Sequence, residues 1–408
     1  MKILFVHQNF PGQYLHLASH LGAIPGNEVV FITQRQNATL PGVRNIIYKP
    51  HRGITKNLHH YLVDTEAGLL NAQTVARIAL DLKEAGFIPD VMLGHNGWGE
   101  IWYLKDVFPE VPLIGYFEFF YRYHGADVGF DPDENKIFDT APRVRTKNLG
   151  NLIGLDAADY GQTPTQWQRS LYPAEYQAMM YVVHEGIDTQ IVVPAPNGRL
   201  RLPDAGIELT LDDEVVTYVA RNLEPYRGFQ SFMRSLPAIL EQRPNAQVLI
   251  VGGDEVSYGH KLPDGQTHRQ RMLAELGSSL DLKRVHFLGK VPYPTYLTVL
   301  QVSRVHVYLT YPFVLSWSML EAMAAGCLLV ASKTAPVEEV IREGENGLLV
   351  DFFSPADIAA RVVAVLEAGR NGYADIRRNA RSTIVGKYDL KTICLPAQLN
   401  LLERALNK

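Results

Sequence analysis

Short apolar, β-branched runs alternate with longer stretches of helical periodicity along nearly the whole chain, and this alternation limits the fold more than any other feature. Strands separated by helices in this rhythm pack as parallel sheets with helices on both faces, an α/β architecture. In the first half the pattern predicts strands over 2–6, 28–33, 90–95, 112–118, 159–163 and 179–184. Helices are expected between them, including 14–21, 65–85, 100–108 and 166–171. Thr163-Pro164 precedes the last of these as a cap followed by proline at the first helical position. The second half repeats the rhythm, with strands predicted over 215–220, 247–251, 285–288, 305–309 and 327–331. Ser354 with Asp357 then opens a helix whose apolar face is Ile358, Val362, Val363 and Leu366.

Residues 193–213 are rich in proline and carry Asn-Gly-Arg and Asp-Asp, a composition of linker or surface loop. The chain therefore divides into a domain over 1–195, a linker over 196–213 and a domain over 214–390. A closing helix over 391–408 is expected to pack back toward the first domain. Two Rossmann-like domains facing each other across a cleft follow, and such sheets bind ligands at the carboxyl ends of their strands.

The 408 residues suffice for two cores, and 47% hydrophobic with 20% charged residues describes a globular chain, not a disordered one. A formal net charge of −4 gives nucleic acid no global attraction. Cys327 and Cys394 are too few for a disulfide framework and read as buried thiols in a reducing cytoplasm. The apolar run after Met1 stops at His7 and lacks a cleavage site, so it reads as a strand and not a signal peptide. No apolar run reaches the ~18 residues of a spanning helix, which leaves peripheral membrane contact open.

The segment from Val219 to Phe229 places Arg221 and Arg227 in one strand-to-helix loop at the cleft edge. They are forks for phosphate oxygens or solvated surface arginines. Downstream, 311–318 leads into a helix over 319–325 that Gly326 terminates. Amides near Ser316 and Trp317, with the positive end of the helix dipole, suit an anion. Glu321, read in that helix's first turn, reaches a ribose diol or simply stabilises the dipole.

The loop from His7 to Gln13 follows the first strand, and Gly12 lets backbone approach a donor phosphate or an acceptor. Gly252-Gly253-Asp254 is a similar close-approach turn, and Leu288 to Val291 borders a nucleotide base. None is a G-x-G-x-x-G fingerprint, so a nicotinamide cofactor is unsupported. Asp131-Pro132-Asp133 has the spacing of a metal-binding carboxylate pair but lies in a long loop with proline between, and reads as a solvated turn. The segment from Tyr116 to His124 is strongly aromatic. Its later part, with His95, Trp98 and Trp102, offers stacking surface for a sugar or lipid acceptor, or core packing.

Together these strings resemble the retaining family 4 glycosyltransferases of the GT-B fold. Arg221 and Arg227-Gly228 match the family's Arg…Lys-Gly diphosphate clamp, with arginine in place of lysine. Leu320 to Gly326 matches its donor-binding helix, and Glu338 to Ile341 with Gly344 to Val350 the segment after it. In the first half, Asp90 to His95, Thr163 to Trp167 and Gly186 to Thr189 sit where such enzymes carry similar strings. The chain departs from the pattern twice. Phe313 stands where the family usually has a glutamate contacting the transferred sugar, and Glu118, with His124 nearby, where many members have a histidine.

The resemblance implies a nucleotide diphosphate sugar, UDP- or GDP-linked, as co-substrate, with no metal or other cofactor. It implies transfer with retention to a saccharide or lipid-linked hydroxyl, in cell-surface polysaccharide assembly, at or near the inner face of the membrane. Glu118, Arg221 and Arg227 are then the catalytic candidates. Gly12, Gly253, Val291, Ser316, Trp317 and Glu321 join the two arginines at the donor, and His95, Trp98, Tyr121 and His124 meet the acceptor. A non-catalytic nucleotide-sugar sensor or a GT-B epimerase are the competing readings.

Overall fold

The computed structural model describes residues 1–132 and 137–407. The chain forms two compact units, Met1–Gly186 with Leu390–Lys408, and Ile187–Asp389.

The first unit is built on seven parallel strands: β1 (Lys2–Val6), β2 (Glu28–Thr33), β3 (Val43–Ile47), β4 (Val91–His95), β5 (Leu113–Tyr116), β6 (Tyr160–Thr163) and β7 (Met180–Val182). Their order is β3-β2-β1-β4-β5-β6-β7. Successive side chains point to opposite faces of a strand, so β1 and β2 contribute to two cores. Leu4, Val6, Val30 and Ile32 pack with Val75, Ala79 and Leu82 of the helix Val63–Glu84. Ile3, Phe5, Val29 and Phe31 pack with Leu17 and Leu21 on the other face. Leu401, Leu402 and Ala405 of the helix Leu395–Leu406 join that second core.

The second unit has a six-stranded parallel sheet and a separate hairpin. The hairpin is β8 (Arg199–Leu202) paired antiparallel with β9 (Ile207–Thr210). The sheet strands are β10 (Val215–Asn222), β11 (Gln247–Gly253), β12 (Val285–Gly289), β13 (Val305–Tyr308), β14 (Leu329–Ser332) and β15 (Leu348–Val350). Their order is β12-β11-β10-β13-β14-β15. In each unit the order reverses beside the first strand, between β1 and β4 and between β10 and β13. Loops leaving those neighbours diverge and open a crevice at their carboxyl ends.

Several expectations need correction. The division falls at Gly186/Ile187, not at 195. Residues 196–213 are not a free linker: Leu200 and Leu209 turn inward against Val215, Leu249 and Val299, while Arg199 and Arg201 face out. The polar half of that alternation masked the hairpin. The edge strand β3 was not anticipated, because none of its five side chains is buried and two, Arg44 and Asn45, are polar. The helix expected over 100–108 shrinks to Leu104–Val107, after a turn in which Gly99 adopts a left-handed φ of 89°. Both cysteines are buried, as expected, and neither forms a disulfide among the described residues. Among the described residues no helix is long and apolar enough to cross a membrane.

Candidate functional site

At the switch point of the first unit, the residue after β1 is His7 and the last of β4 is His95. Both are buried, their rings 4.8 Å apart, with Trp98 4.6 Å from His95 and Tyr116 stacked on it at 5.1 Å. Each imidazole accepts a backbone N–H two residues on: Asn9 N to His7 Nδ1 and Gly97 N to His95 Nδ1, both 2.9 Å. Accepting at Nδ1 puts the proton of a neutral ring on Nε2. Burial keeps both rings neutral. It pushes His7 down to about 4 against a small opposing contribution from Gln13, and holds His95 well below the usual range, with His7 adding to the effect.

Both Nε2 atoms lie on the side of one carboxylate, Glu118, but only His7 is linked to it, through Gln13. His7 Nε2 donates to Gln13 Oε1 at 2.6 Å, and Gln13 Nε2 donates to Glu118 Oε1 at 3.1 Å. His95 Nε2 stands 3.8 Å from Glu118 Oε2, beyond hydrogen-bond reach, and is buried without a hydrogen-bond partner among the described residues. A hydroxyl oxygen placed between them could accept from His95 and donate to Glu118. Gly12 makes the loop over His7 feasible: its φ is 53°, and a Cβ there would lie 2.4 Å from His7 Nε2.

Sequence reasoning chose Gly12, His95, Trp98 and Glu118 here but missed His7 and Gln13. The signal for His7 was its place directly after β1. Of the other acceptor candidates, Tyr121 feels the Glu118 charge without a hydrogen bond to it among the described residues. Tyr121 lies under the Lys147 ammonium, 4.1 Å from its ring centroid, and His124 is exposed with its ring against Tyr123. Trp102 is not surface at all. It is buried, donates to Asn96 Oδ1 at 2.9 Å and fills the space beside Gly68 and Gly150.

In the second unit, β10 runs on to Asn222, so Arg221 is a strand residue and not part of the loop; its side chain is exposed. Arg227 is only 6% exposed. The two arginines are therefore not an equivalent pair of forks. Arg227 Nη1 donates to Thr310 Oγ1 at 2.7 Å, to the Val314 carbonyl at 3.0 Å and to Tyr308 Oη at 3.3 Å. The Tyr258 ring covers the guanidinium with its centroid 5.3 Å away. Burial opposes the charge, but the surrounding tyrosine oxygens outweigh it and hold the group protonated. No carboxylate forms an ion pair with Arg227 among the described residues.

Glu224 fixes the cover. Its fully buried carboxylate accepts from the amides of Ser257 (3.0 Å), Tyr258 (3.0 Å) and Gly259 (2.8 Å). Phe313, also buried, packs in the same aromatic cluster, 4.9 Å from Tyr258 and 5.3 Å from Tyr226.

The helix after the Val314 loop is Trp317–Ala324, and the Ser316 side chain caps it by accepting from Ser318 N at 3.3 Å. The Ser316 amide is already committed to Tyr308 Oη at 2.9 Å, whereas Trp317 is 43% exposed. Glu321 lies in the second turn of this helix, not the first. Its carboxylate accepts from Tyr293 and Tyr296 hydroxyls, each at 2.7 Å, and burial raises its pKa while those bonds lower it. Gly253 is demanded by the protein itself, since a Cβ would lie 2.5 Å from Lys290 Cε and 2.6 Å from Asn222 Oδ1. Val291 is half-buried against the core. Asp133, half of the D-x-D spacing, lies outside the described residues. Among the described residues no three acidic, histidine or cysteine groups converge to hold a metal.

Two parallel doubly wound sheets, with a buried guanidinium beside a helix amino end in one of them, are the architecture on which GT-B glycosyltransferases are built, and the chain shares that fold. The sequence comparisons carry the assignment further. Residues 25–192 match the group described as Glycosyl transferase family 4, and residues 205–383 match Glycosyl transferases group 1. With each half matched by its own glycosyltransferase model, the chain is a glycosyltransferase of the family 4 type. It is 25% identical over 331 residues to a D-inositol 3-phosphate glycosyltransferase of Corynebacterium glutamicum, covering 80% of this chain and 73% of that one. Anabaena Alr3699/HepE, solved in complex with UDP, superposes with a TM-score of 0.65 at 17% identity over 99% of this chain and 100% of its own. Sucrose-phosphate synthase from Thermosynechococcus elongatus gives 0.69 at 17% identity over 100% and 99%. At these identities the structural likeness bears on the fold.

Proposed function

We propose that the protein transfers a sugar from a UDP- or GDP-linked donor to a hydroxyl of a saccharide or lipid-linked acceptor, with retention and without a metal ion. The observation that carries this reading is Arg227, a buried cation with no carboxylate partner among the described residues, beside the amino end of Trp317–Ala324. A buried charge left to neutral partners favours an incoming anion, and a diphosphate supplies one. Arg227, with Arg221 at the end of the adjacent strand, stabilises charge developing on the leaving diphosphate. One well-placed donor of this kind contributes roughly 10²–10³-fold to rate. Guanidinium charge and helix dipole take the part a metal would otherwise play. UDP in the structure of HepE supports a uridine donor, and Trp317 and the Val291 loop are proposed to border the base.

In the first unit, Glu118 orients the acceptor hydroxyl, and His95 Nε2–H contributes the second bond. Trp98, Tyr121 and His124 extend the acceptor surface. The likeness to family 4 supports retention, and assembly of cell-surface polysaccharide on the cytoplasmic side of a membrane is the proposed setting.

The test is Arg221→Ala and Arg227→Ala, with UDP and GDP affinity measured separately from sugar transfer. Weaker nucleotide binding and slower transfer are expected for both, larger for Arg227. Unchanged values in both variants would overturn the reading.

A further inference from the structure

The amino-terminal edge of the second unit's sheet concentrates arginines that the transfer chemistry does not use. A cavity of about 250 Å³ lies there, walled by Arg304, Arg370 and Arg377 together with Ala325 and Gly326 at the end of the Trp317–Ala324 helix. It shares Gly326 and Arg377 with an adjoining groove of about 570 Å³ that adds Arg378 and Arg381. Two of the five guanidiniums have carboxylates: Arg370 with Asp212 at 3.1 Å, and Arg378 with Asp375. The other three have only carbonyl oxygens among the described residues. Arg304 Nη2 donates to Leu211 O at 2.7 Å, Arg377 Nη2 to Arg304 O at 3.0 Å, and Arg381 Nη2 to Thr189 O at 3.1 Å.

Those bonds fix the guanidinium planes without neutralising them. Helix carboxyl ends supply only a fractional negative charge. Burial disfavours the charge on Arg304 and Arg377, and the neighbours Arg370 and Arg304 respectively repel it further, while the more distant carboxylates of Glu214, Asp212 and Asp213 act the other way on Arg304 without forming an ion pair with it among the described residues. Arg304 directs one of its three nitrogens to these carbonyls, which leaves donors for a ligand. Several guanidiniums converging on one enclosed space are the arrangement that recognises a phosphate, whose oxygens accept bidentate pairs.

We propose that this cavity binds a phosphate monoester. The phosphate sits among Arg304, Arg370 and Arg377, and the group it esterifies lies in the groove along Arg378 and Arg381. The enclosed part is smaller than the ~300–1,000 Å³ of pockets for whole drug-sized ligands, which fits a headgroup and not a nucleotide sugar. The site is separate from the donor site. Arg304 precedes β13 and Thr310 follows it, so the two ends are about 20 Å apart at the rise of an extended strand.

The experiment measures thermal stabilisation of the full chain by inorganic phosphate and by glycerol 3-phosphate, against chloride at matched ionic strength. The Arg221→Ala variant is included to weaken the donor site. Saturable stabilisation is expected in wild type and Arg221→Ala. Affinity should fall about tenfold or more in Arg377→Gln, the scale of one lost charge-assisted bond, and likewise in the surface pair Arg370→Gln with Arg378→Gln, which circular dichroism should show folded. Phenylglyoxal labelling of Arg370 and Arg377, read by mass spectrometry, should be slowed by glycerol 3-phosphate. Phosphatidic acid vesicles, compared with phosphatidylcholine vesicles, separate the sources. Binding to the former that these variants abolish assigns a lipid headgroup, and glycerol 3-phosphate binding without vesicle binding assigns a soluble ester. No saturable response to either ester form, or a response the arginine variants leave unchanged, overturns the site.

Discussion

Arg227 and Ser316 meet at a single atom, the Tyr308 hydroxyl oxygen, which lies 3.3 Å from the guanidinium and 2.9 Å from the amide. One buried tyrosine on β13 thus ties the cation of the proposed donor site to the start of the helix beside it. Tyr308→Phe removes the shared acceptor and leaves a part-buried amide without it. The expected result is a loss of about 1–3 kcal/mol in stability by urea denaturation, the cost of an unsatisfied polar group. Weaker UDP binding by calorimetry should accompany it. Unchanged UDP affinity in a destabilised variant would show that Tyr308 serves the fold alone.

Glu118 receives Gln13 directly and faces His95 across 3.8 Å. Glu118→Gln should slow transfer by roughly 10²-fold or more, the range for a lost general base or orienting carboxylate, with nucleotide affinity retained. Gln13→Leu should give a smaller loss of the same kind, because it removes one hydrogen bond to Glu118 and keeps the carboxylate. Rate and KM for acceptor, measured apart from donor KM, check this. Full activity in Glu118→Gln would remove the carboxylate from the mechanism.

Glu321 is held between Tyr293 and Tyr296 in this structure. If it binds the ribose diol, one of those hydroxyls shares it or gives way. Glu321→Gln should then weaken the free nucleoside diphosphate while leaving inorganic pyrophosphate unaffected. Competition binding with both ligands separates the outcomes, and equal affinities for UDP in the two proteins would confine Glu321 to packing.

Glu100 is fully buried, donates nothing when ionised, and accepts from Tyr48 Oη at 2.7 Å. Burial raises its pKa from 4.5 to about 7, against hydrogen bonds that lower it. The folded value exceeds the unfolded one, so the stabilisation present below about 4.5 is lost as pH rises toward 7. By linkage the change is on the order of 3 kcal/mol. Buried His7 works in the opposite direction: its folded value of about 4 lies below 6.5, so stability rises with pH across that interval. The difference between wild type and Glu100→Gln isolates the carboxyl. Wild type should lose stability relative to the variant between pH 5 and 7.5 in calorimetric scans, and parallel curves would contradict the assignment.

Much of the fold was legible because periodicity reports burial. Lys2–Val6 and Glu28–Thr33 coincide with their predicted bounds, since both are apolar strands in a sheet covered on two sides. Where burial is one-sided the pattern weakened, as in β3 and the β8–β9 hairpin. The length of an apolar run also overstated strands such as β5, which stops at Tyr116 although Phe117 is buried too.

The sequence by itself determined two α/β units, the resemblance to family 4 glycosyltransferases and the segments from which the proposed donor site is built. Those properties follow from local pattern and motif order, which are written along the chain. Only the tertiary structure decided that Arg221 is exposed while Arg227 is buried under Tyr258, that Glu321 is engaged by two tyrosines, and that His7 and Gln13 belong with Glu118. Those relations join residues up to 105 positions apart. They depend on which strands become neighbours at the switch points and on how deeply each side chain is desolvated, and neither is encoded in the spacing of residues along one segment.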